Sequence, residues 1–249
     1  MRKTAVRAVQ IAVPVALVTL WYLATTRWGV SRILLPNPVE VVRALGNVLA
    51  TGEYVGDLLV TLKELAIAFS ISVTGGIMLG YLISRTSFRI RVYDPLLSAI
   101  YSVPLILFLP LYVLWFGLGP ASKIALGATI SFFPIVLSTI AGFGRVEPMM
   151  VTAARAMGAS DVQLFRFVLL PAAFPVIIAG MRLGFTVALL SIIGSETLAS
   201  LAGLGHKIVE LSEGMEMPRM FAYIAFVVTI AAILNIIVWR LEAWGRRHT

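Results

Sequence analysis

Long apolar segments, each close to the length of a membrane-spanning helix, recur along this chain. A helix needs about 20 mostly apolar residues to cross a bilayer. Six segments meet this requirement and predict transmembrane helices at about 8–26, 60–83, 96–118, 124–143, 172–198 and 221–241. The segments between them are too short for a soluble domain. The pattern therefore predicts an all-α, multi-pass integral membrane protein, with residues 1–249 in a single transmembrane domain.

The segment between the fourth and fifth predicted spans, residues 144–171, carries a helical pattern of its own. Pro148 suits the first turn of a helix, and the preceding Glu147 complements the helix dipole. Small or flexible apolar side chains then share one face of the predicted helix: Met149, Met150, Ala153, Ala154 and Met157. Methionines adapt to irregular surfaces. This face predicts packing either on the protein's own helices or on a partner outside the membrane.

A second short helix is predicted after a glycine turn. Gly158 lies where a left-handed C-terminal cap is expected. Ser160, with Gln163 three positions later, has the spacing of a capping box. The second helix is predicted to end at Leu170 and Pro171, where the chain re-enters the membrane. Its apolar stripe consists of Val162, Phe165, Val168 and Leu169.

Prolines interrupt several predicted spans: Pro104 and Pro110 the third, Pro134 the fourth and Pro175 the fifth. Proline in a membrane helix frees a carbonyl that another group must satisfy. Such kinks are either tolerated by neighbouring helices or mark helices that line a substrate pathway. Pro104 and Pro134 are therefore candidates for that pathway. In the second span, Gly76 and Gly80 have the spacing of close helix packing, with no partner indicated.

Composition supports a membrane protein and excludes several kinds of site. The chain is 59% hydrophobic and 13% charged, with a mean hydropathy of +0.96, whereas soluble domains are about 25% charged. It has no cysteine and two histidines. The absence of cysteine excludes disulfides, thiolate metal sites and a cysteine nucleophile. The two histidines provide few ligands for a metal centre.

The distribution of charge predicts the orientation. If the N-terminus is cytoplasmic, the inside segments 1–7, 84–95, 144–171 and 240–249 contain twelve basic and four acidic residues. The outside segments contain six of each. An excess of Lys and Arg is typical of cytoplasmic loops. Both termini and residues 144–171 are thus predicted to be cytoplasmic, and the net charge of +8 needs no nucleic-acid partner. The basic N-terminus is interpreted as part of an uncleaved first span.

Ionisable residues within membrane spans are functional candidates. Arg182 and Glu196 lie in the fifth span, and both are candidates for the substrate pathway. The alternative for Arg182 is a structural pairing with carbonyls or another helix, and the alternative for Glu196 is a cap or loop anchor. Lys63 and Glu64 are interpreted as interfacial, near the outer end of the second span.

The stretch Thr152–Pro171 resembles the cytoplasmic EAA loop in permease subunits of bacterial ATP-binding-cassette importers. The family pattern is E-A-A, three residues, G, nine residues, I-x-L-P. Here Ala153-Ala154, Gly158 and Leu170-Pro171 match at the same spacing. Thr152 replaces the glutamate and Val168 replaces the isoleucine. Further segments resemble the nitrate/sulfonate/taurine branch over most of the chain: Leu35–Pro38, Pro171–Pro175, Gly180–Arg182, Glu196 and Gly203–Gly205.

The resemblance implies a homodimer of six-helix subunits in a bacterial or archaeal cytoplasmic (inner) membrane. It also implies a coupling helix seated in a separate ATPase subunit, and an extracytoplasmic solute-binding protein that delivers the substrate. The chain has no G-x-x-x-x-G-K-[ST] motif, so it is expected to be non-catalytic and without a cofactor, with ATP bound by the ATPase. The residues expected at the coupling contact are Met150, Ala153, Ala154, Met157, Gly158, Ala159, Ser160, Phe165, Leu170 and Pro171.

The substrate and two other functions stay open. The branch suggests a small oxyanion such as a sulfonate, taurine or nitrate, although relatives also move vitamin precursors and aromatic acids. An intramembrane enzyme would need a nucleophile–base pair or clustered acids, which the sequence does not offer. An ion-coupled secondary transporter would need acids near the middle of the membrane, and the interpretation above places none there.

Overall fold

The computed structural model describes the backbone of residues 2–245 and the side chains of residues 12–240, 242 and 243. This part is helical apart from short connections and contains no strand, so the predicted all-α class is confirmed. The helices are α1 (Arg2–Thr26), α2 (Pro38–Thr51), α3 (Val55–Ser84), α4 (Ser87–Tyr101), α5 (Leu109–Phe116), α6 (Pro120–Gly144), α7 (Pro148–Ala156), α8 (Asp161–Leu164), α9 (Leu170–Leu198), α10 (Leu204–Glu213) and α11 (Met217–Gly245).

Four single helices are long and apolar enough to cross a membrane. They are Val55–Ser84, Pro120–Gly144, Asp161–Leu198 and Met217–Arg240, and they cover the predicted second, fourth, fifth and sixth spans. A fifth arises if α4 and α5 form one bent span, and α1 adds the shorter apolar helix Ala12–Thr26. Several basic side chains near the two termini, most of which enter the charge argument above, lie outside the described residues. They are those of Arg2, Lys3, Arg7, Arg246, Arg247 and His248.

Helix α6 is the centre of the bundle and packs closely against α3. Gly76 and Gly80 of α3 face it: a Cβ added at Gly80 would lie 2.6 Å from Cβ of Thr139. Small residues let two helix backbones approach in this way. The partner of the glycine pair, which the sequence left undefined, is therefore α6. Ser72 and Ser131 join the same two helices through a 2.5 Å hydrogen bond.

Helix α9 packs against α6 through a second pair of glycines at the same spacing. A Cβ added at Gly180 would lie 2.2 Å from Cβ of Ser138, and one at Gly184 would lie 2.6 Å from Cγ1 of Ile135. Both glycines are buried. The close packing of α3 and α9 on α6 thus depends on four glycines, Gly76, Gly80, Gly180 and Gly184.

The third span, predicted at 96–118 with interruptions at Pro104 and Pro110, is broken next to Pro104. Helix α4 ends at Tyr101, a short 3₁₀ turn occupies Leu105–Phe108, and α5 then leaves at an angle of 70°. Pro104 has no amide hydrogen to donate, and its ring crowds the preceding turn, so the helix is weakened at this point. Pro110 lies in the first turn of α5, where proline is accommodated.

The predicted connection at 84–95 is also different in the structure, because α4 already begins at Ser87. The side chain of Thr86 accepts a hydrogen bond from the Arg89 amide and caps this helix. Pro95 lies inside α4 without ending it. Most of the predicted loop is therefore helical.

The predicted break at Leu170–Pro171 is absent. Helix α8 continues through a π-helical turn at Phe165–Leu169 into α9, which gives one helical segment from Asp161 to Leu198. The Leu170 amide donates to the carbonyl of Phe165, five residues back. A proline ring clashes with the carbonyl four residues before it in a regular helix. A π turn relieves that contact while keeping the chain helical.

Candidate functional site

The turn at Gly158 joins α7 to the long helix that begins with α8. Gly158 has φ of +81°, a left-handed conformation that glycine adopts without the strain of a Cβ. Its amide donates to the Arg155 carbonyl at 2.9 Å, and the Ala159 amide donates to the Ala154 carbonyl at 3.0 Å. These two bonds form a Schellman C-cap. The predicted left-handed cap is confirmed.

The capping box at the start of α8 is confirmed. The hydroxyl of Ser160 accepts a hydrogen bond from the Gln163 amide, and the Gln163 side chain accepts one from the Ser160 amide at 2.9 Å. Arg155 and Asp161 form an ion pair across the turn. The angle between α7 and α8 is thus fixed by the glycine conformation, the capping box and one salt bridge.

Ser160→Ala is expected to loosen this corner without unfolding the protein. Loss of an N-cap side chain costs about 1 kcal/mol, which corresponds to about a fivefold change in a local opening equilibrium. Hydrogen–deuterium exchange of peptides from residues 148–164 measures it. Ser160→Asp keeps a capping oxygen and should exchange as the wild type does. Equal exchange in the alanine and aspartate variants would contradict a role for the cap.

An exposed apolar surface surrounds this corner, and we call it the α7 surface. Its members are between 50% and 82% exposed: Met149, Met150, Met157, Val162 and Phe167. Ala153, Gly158 and Ser160 are exposed beside them, and Ala159 is partly exposed. Ala154 is different, because it is 4% exposed and faces the protein. The predicted five-residue face is therefore divided, with the three methionines and Ala153 outward and Ala154 inward.

Phe165 anchors the corner to the bundle. Its ring lies 4.8 Å from Tyr81 and 6.1 Å from Phe143, which belong to α3 and α6. Leu170 packs in the same cluster, whereas Pro171 is exposed. A cavity of about 340 Å³ separates the ends of α3 and α6 from α7 and α8. Of the predicted coupling residues, Ala154, Phe165 and Leu170 therefore face inward, where they position the α7 surface.

The four candidates for the substrate pathway are not brought together in one cavity. Pro104 is exposed at the break between α4 and α5, and Pro134 is buried inside α6, which runs through it without interruption. Arg182 lies near a 350 Å³ groove between α9 and α11, and Glu196 lies at the opposite end of α9. The structure gives each of them a different environment.

Arg182 is paired with another helix. Its Nε lies 3.2 Å from Oε2 of Glu242 in α11, whose side chain is 2% exposed. Beside it, Thr186 donates to the Asn235 side chain at 2.8 Å and ties the same two helices. The arginine is about half exposed and lines the groove together with Trp239. The ion pair thus supports the interpretation of Arg182 as a residue that pairs with another helix. The groove also leaves its side chain accessible.

Glu196 caps helix α10. Its carboxylate accepts hydrogen bonds from the Thr61 hydroxyl at 2.7 Å and from the Gly205 amide at 2.8 Å. The Thr61 hydroxyl in turn accepts from the Leu204 amide, and Asp57 accepts from the Gly203 amide. We call this arrangement the α10 clasp. The interpretation of Glu196 as a cap therefore matches the geometry.

Sequence reasoning missed two buried charged residues beside the clasp. Glu64, interpreted above as interfacial, is 2% exposed, and Lys123 is fully buried; the interfacial interpretation of Glu64 is wrong. Lys63, its neighbour, is exposed. The signal was present, because the polar residues Thr61, Glu64 and Ser72 recur at helical spacing on the face of α3 that turns inward.

Comparison with known proteins gives a family. The sequence profile of the binding-protein-dependent transport system inner membrane component matches residues 72–247. The chain is 31% identical over 238 residues to the taurine transport system permease protein TauC of Escherichia coli (94% of this chain, 86% of TauC). It is 30% identical to the putative aliphatic sulfonates transport permease protein SsuC of Bacillus subtilis (92% and 83%). It is 28% identical to the riboflavin transport system permease protein RibX of Chloroflexus aurantiacus (93% and 88%).

Solved structures share the fold. A crystal structure of an amino acid ABC transporter superposes with a TM-score of 0.64 at 21% identity, covering 82% of this chain and 98% of the other. An inward-facing structure of the MetNI methionine ABC transporter gives a TM-score of 0.58 at 18% identity, covering 84% and 97%. The helical arrangement described above is thus shared with chains of solved ABC transporter structures.

Proposed function

Because this chain belongs to the family of binding-protein-dependent transport system inner membrane components, we propose that it is the permease subunit of an ATP-driven importer. The observation that carries the proposal is the α7 surface, an exposed apolar patch held by a rigid corner at the end of a membrane-spanning helix. Apolar side chains rimmed by polar residues are typical of protein interaction sites. The partner proposed for this surface is a separate ATPase subunit.

The coupling would work through two arrangements of the partner. If the ATPase binds the α7 surface differently with and without ATP, the difference in binding free energy biases two states of the permease. The chain has no phosphate-binding loop motif, so hydrolysis is assigned to the ATPase. We propose no cofactor and no catalytic residue for the permease itself.

The membrane arrangement extends the same proposal. Six spans follow if α1 crosses the membrane and α4 with α5 crosses as one bent helix. The charge distribution supports cytoplasmic termini and a cytoplasmic α7 surface. The α10 clasp then lies on the outer side, where a solute-binding protein would deliver substrate. A homodimer is proposed because the family resemblance implies it.

A small oxyanion, such as a sulfonate, taurine or nitrate, is the proposed substrate. TauC and SsuC are named for taurine and aliphatic sulfonates, and the accessible Arg182 supplies a cation near one groove. RibX is named for riboflavin, so another small solute, such as a vitamin precursor or an aromatic acid, is the alternative. Ligand screening of the partner solute-binding protein proposed above separates the two.

Met157→Glu tests the docking surface. A charge placed at this 82%-exposed position should weaken the complex with the partner ATPase by about tenfold, or about 1.4 kcal/mol. Titration of the purified, detergent-solubilised permease with that ATPase measures the affinity. Met215→Glu is the matched control, because Met215 is also exposed, 69%, but precedes α11 at the far end. Equal affinities for the two variants would contradict the proposed surface.

A further inference from the structure

The groove between α9 and α11 has its charged end near one edge of the bilayer. The helical segment Asp161–Leu198 has 38 residues, about 57 Å at 1.5 Å per residue, whereas the hydrocarbon core is about 30 Å thick. Part of this segment therefore projects beyond the core. Near the start of α11, Arg219 is paired with Glu53 and Glu216, which places it at the aqueous edge. Trp239 follows 20 residues later, about 30 Å along the helix, and so lies near the opposite edge.

Arg182 lies at the same level as Trp239. Its Nε is 3.2 Å from Oε2 of Glu242, which comes three residues after Trp239 on α11. Tryptophan is enriched at membrane interfaces, and arginine keeps its charged head there while its stem covers apolar surface. The guanidinium of Arg182 therefore belongs to the interface on the side of the α7 surface, and not to the middle of the fifth span.

At this level the groove presents a cation with unused donors. The ion pair with Glu242 uses Nε, and neither Nη nitrogen of Arg182 donates a hydrogen bond to a residue that the structure describes. Arg182 is 45% exposed and Glu242 is 2% exposed, so the cation faces the groove and the carboxylate does not. Arg240 is exposed and adds a second cation at this level. Because a guanidinium binds phosphate through parallel hydrogen bonds, this end of the groove fits an oxyanion.

Further from the interface, the polar groups of the groove already have partners. The Thr186 hydroxyl donates to the side chain of Asn235 at 2.8 Å, and the Asn235 amide group donates to the Ala231 carbonyl at 3.0 Å. Leu183 and Ile236, each about half exposed, line the groove beside them. The cavity of about 350 Å³ thus combines a cationic end at the interface with apolar walls toward the bilayer.

We propose that this groove binds an anionic phospholipid from the leaflet on the side of the α7 surface. The headgroup phosphate lies on the guanidinium of Arg182, and an acyl chain lies along Leu183 and Ile236. Basic pockets between transmembrane helices bind anionic headgroups in this way. A soluble oxyanion has the same charge but no chain to cover the apolar walls. The inference needs α9 and α11 to cross the bilayer and does not depend on the substrate or the ATPase.

Native mass spectrometry of the purified permease tests the site by counting bound lipid. Titrated with phosphatidylglycerol and phosphatidylcholine of identical acyl chains, the wild type should retain the anionic lipid preferentially. Arg182→Gln should lower this preference at least about fivefold, the contribution of one cation near an anionic lipid surface. Arg91→Gln removes an exposed arginine of α4 and, as the matched control, should bind as the wild type does. An equal loss in both variants, or no loss in Arg182→Gln, would overturn the proposal.

Two further variants separate loss of the site from loss of the fold. Glu242→Gln removes the competing carboxylate and should raise the preference for phosphatidylglycerol. The double variant Arg182→Gln/Glu242→Gln removes both members of the ion pair and should still lack the preference. A Glu242→Gln variant that binds no more anionic lipid than the wild type would contradict the assignment of the cation.

Soluble anions distinguish a lipid site from a site for free oxyanions. Excess glycerol phosphate, which has the headgroup chemistry without acyl chains, should not displace phosphatidylglycerol from the wild type, and neither should excess taurine. Displacement by either compound would overturn the lipid assignment. Displacement by taurine alone would instead place Arg182 in the substrate pathway, which keeps this test separate from that of the proposed transport function.

Discussion

Replacing Gly158 with valine is expected to abolish ATP-driven uptake while the chain still inserts into the membrane. The left-handed conformation at φ of +81° costs an L-residue about 1–2 kcal/mol, and a β-branched side chain tolerates it least. A Cβ at this position would meet nothing within 4 Å. The effect therefore comes from the backbone, which would leave the left-handed region and turn α7 away from α8. The expected loss of uptake is at least about tenfold, equivalent to about 1.4 kcal/mol.

Gly158→Asn is the control for this experiment. Asparagine adopts the left-handed conformation far more readily than valine, although it adds a side chain of similar size. Uptake into proteoliposomes that contain the permease and its ATPase, supplied with the binding protein and its ligand, gives the activity. The amount of permease in the membrane is measured in parallel. Undiminished transport by the valine variant would refute the coupling role of this corner.

The corner itself was predictable from sequence because its determinants are local. Gly158, Ser160 and Gln163 act on backbone groups within a few residues of themselves, so their spacing alone specifies a C-cap followed by a capping box. Which side chains of α7 face outward was not predictable. Ala153 and Ala154 are adjacent in sequence, yet one is exposed and the other is buried, because the bundle lies on one side of α7.

Helix continuity was predicted least well, since proline has more than one structural outcome. Pro104 breaks its span, Pro134 lies inside an uninterrupted α6, and Pro171 follows a π turn that keeps the helix continuous. The proline ring imposes the same local restriction each time. Packing against neighbouring helices decides whether the chain bends, and a single sequence does not contain that packing.

One long helical segment joins the α7 surface to the α10 clasp. It runs from Asp161 to Leu198, with Phe165 packed on α3 and α6 near its start and Glu196 under α10 near its end. A movement imposed on α8 can therefore reach α10 along a single helix. The π turn at Phe165–Leu169 is the irregular point in that path, and π turns are frequent at functional sites.

Gly180→Ala is expected to destabilise the protein severely, although alanine favours helices by about 1 kcal/mol over glycine. The new Cβ would lie 2.2 Å from Cβ of Ser138 and 3.1 Å from the Pro134 carbonyl, so α9 would have to move away from α6. Overpacking of a core costs about 1–3 kcal/mol or more. Gly194→Ala is the matched control on the same helix, because its Cβ would meet nothing within 4 Å.

Thermal unfolding in detergent, followed by the loss of monodisperse protein, should place Gly180→Ala well below the wild type and Gly194→Ala at or above it. Adding Ser138→Gly removes both the Cβ and the Oγ that the new methyl group meets. The double variant should therefore be more stable than the sum of the two single changes predicts, with a coupling of about 0.5–3 kcal/mol. Purely additive effects would mean that contact between α6 and α9 at this point does not set the stability of the bundle.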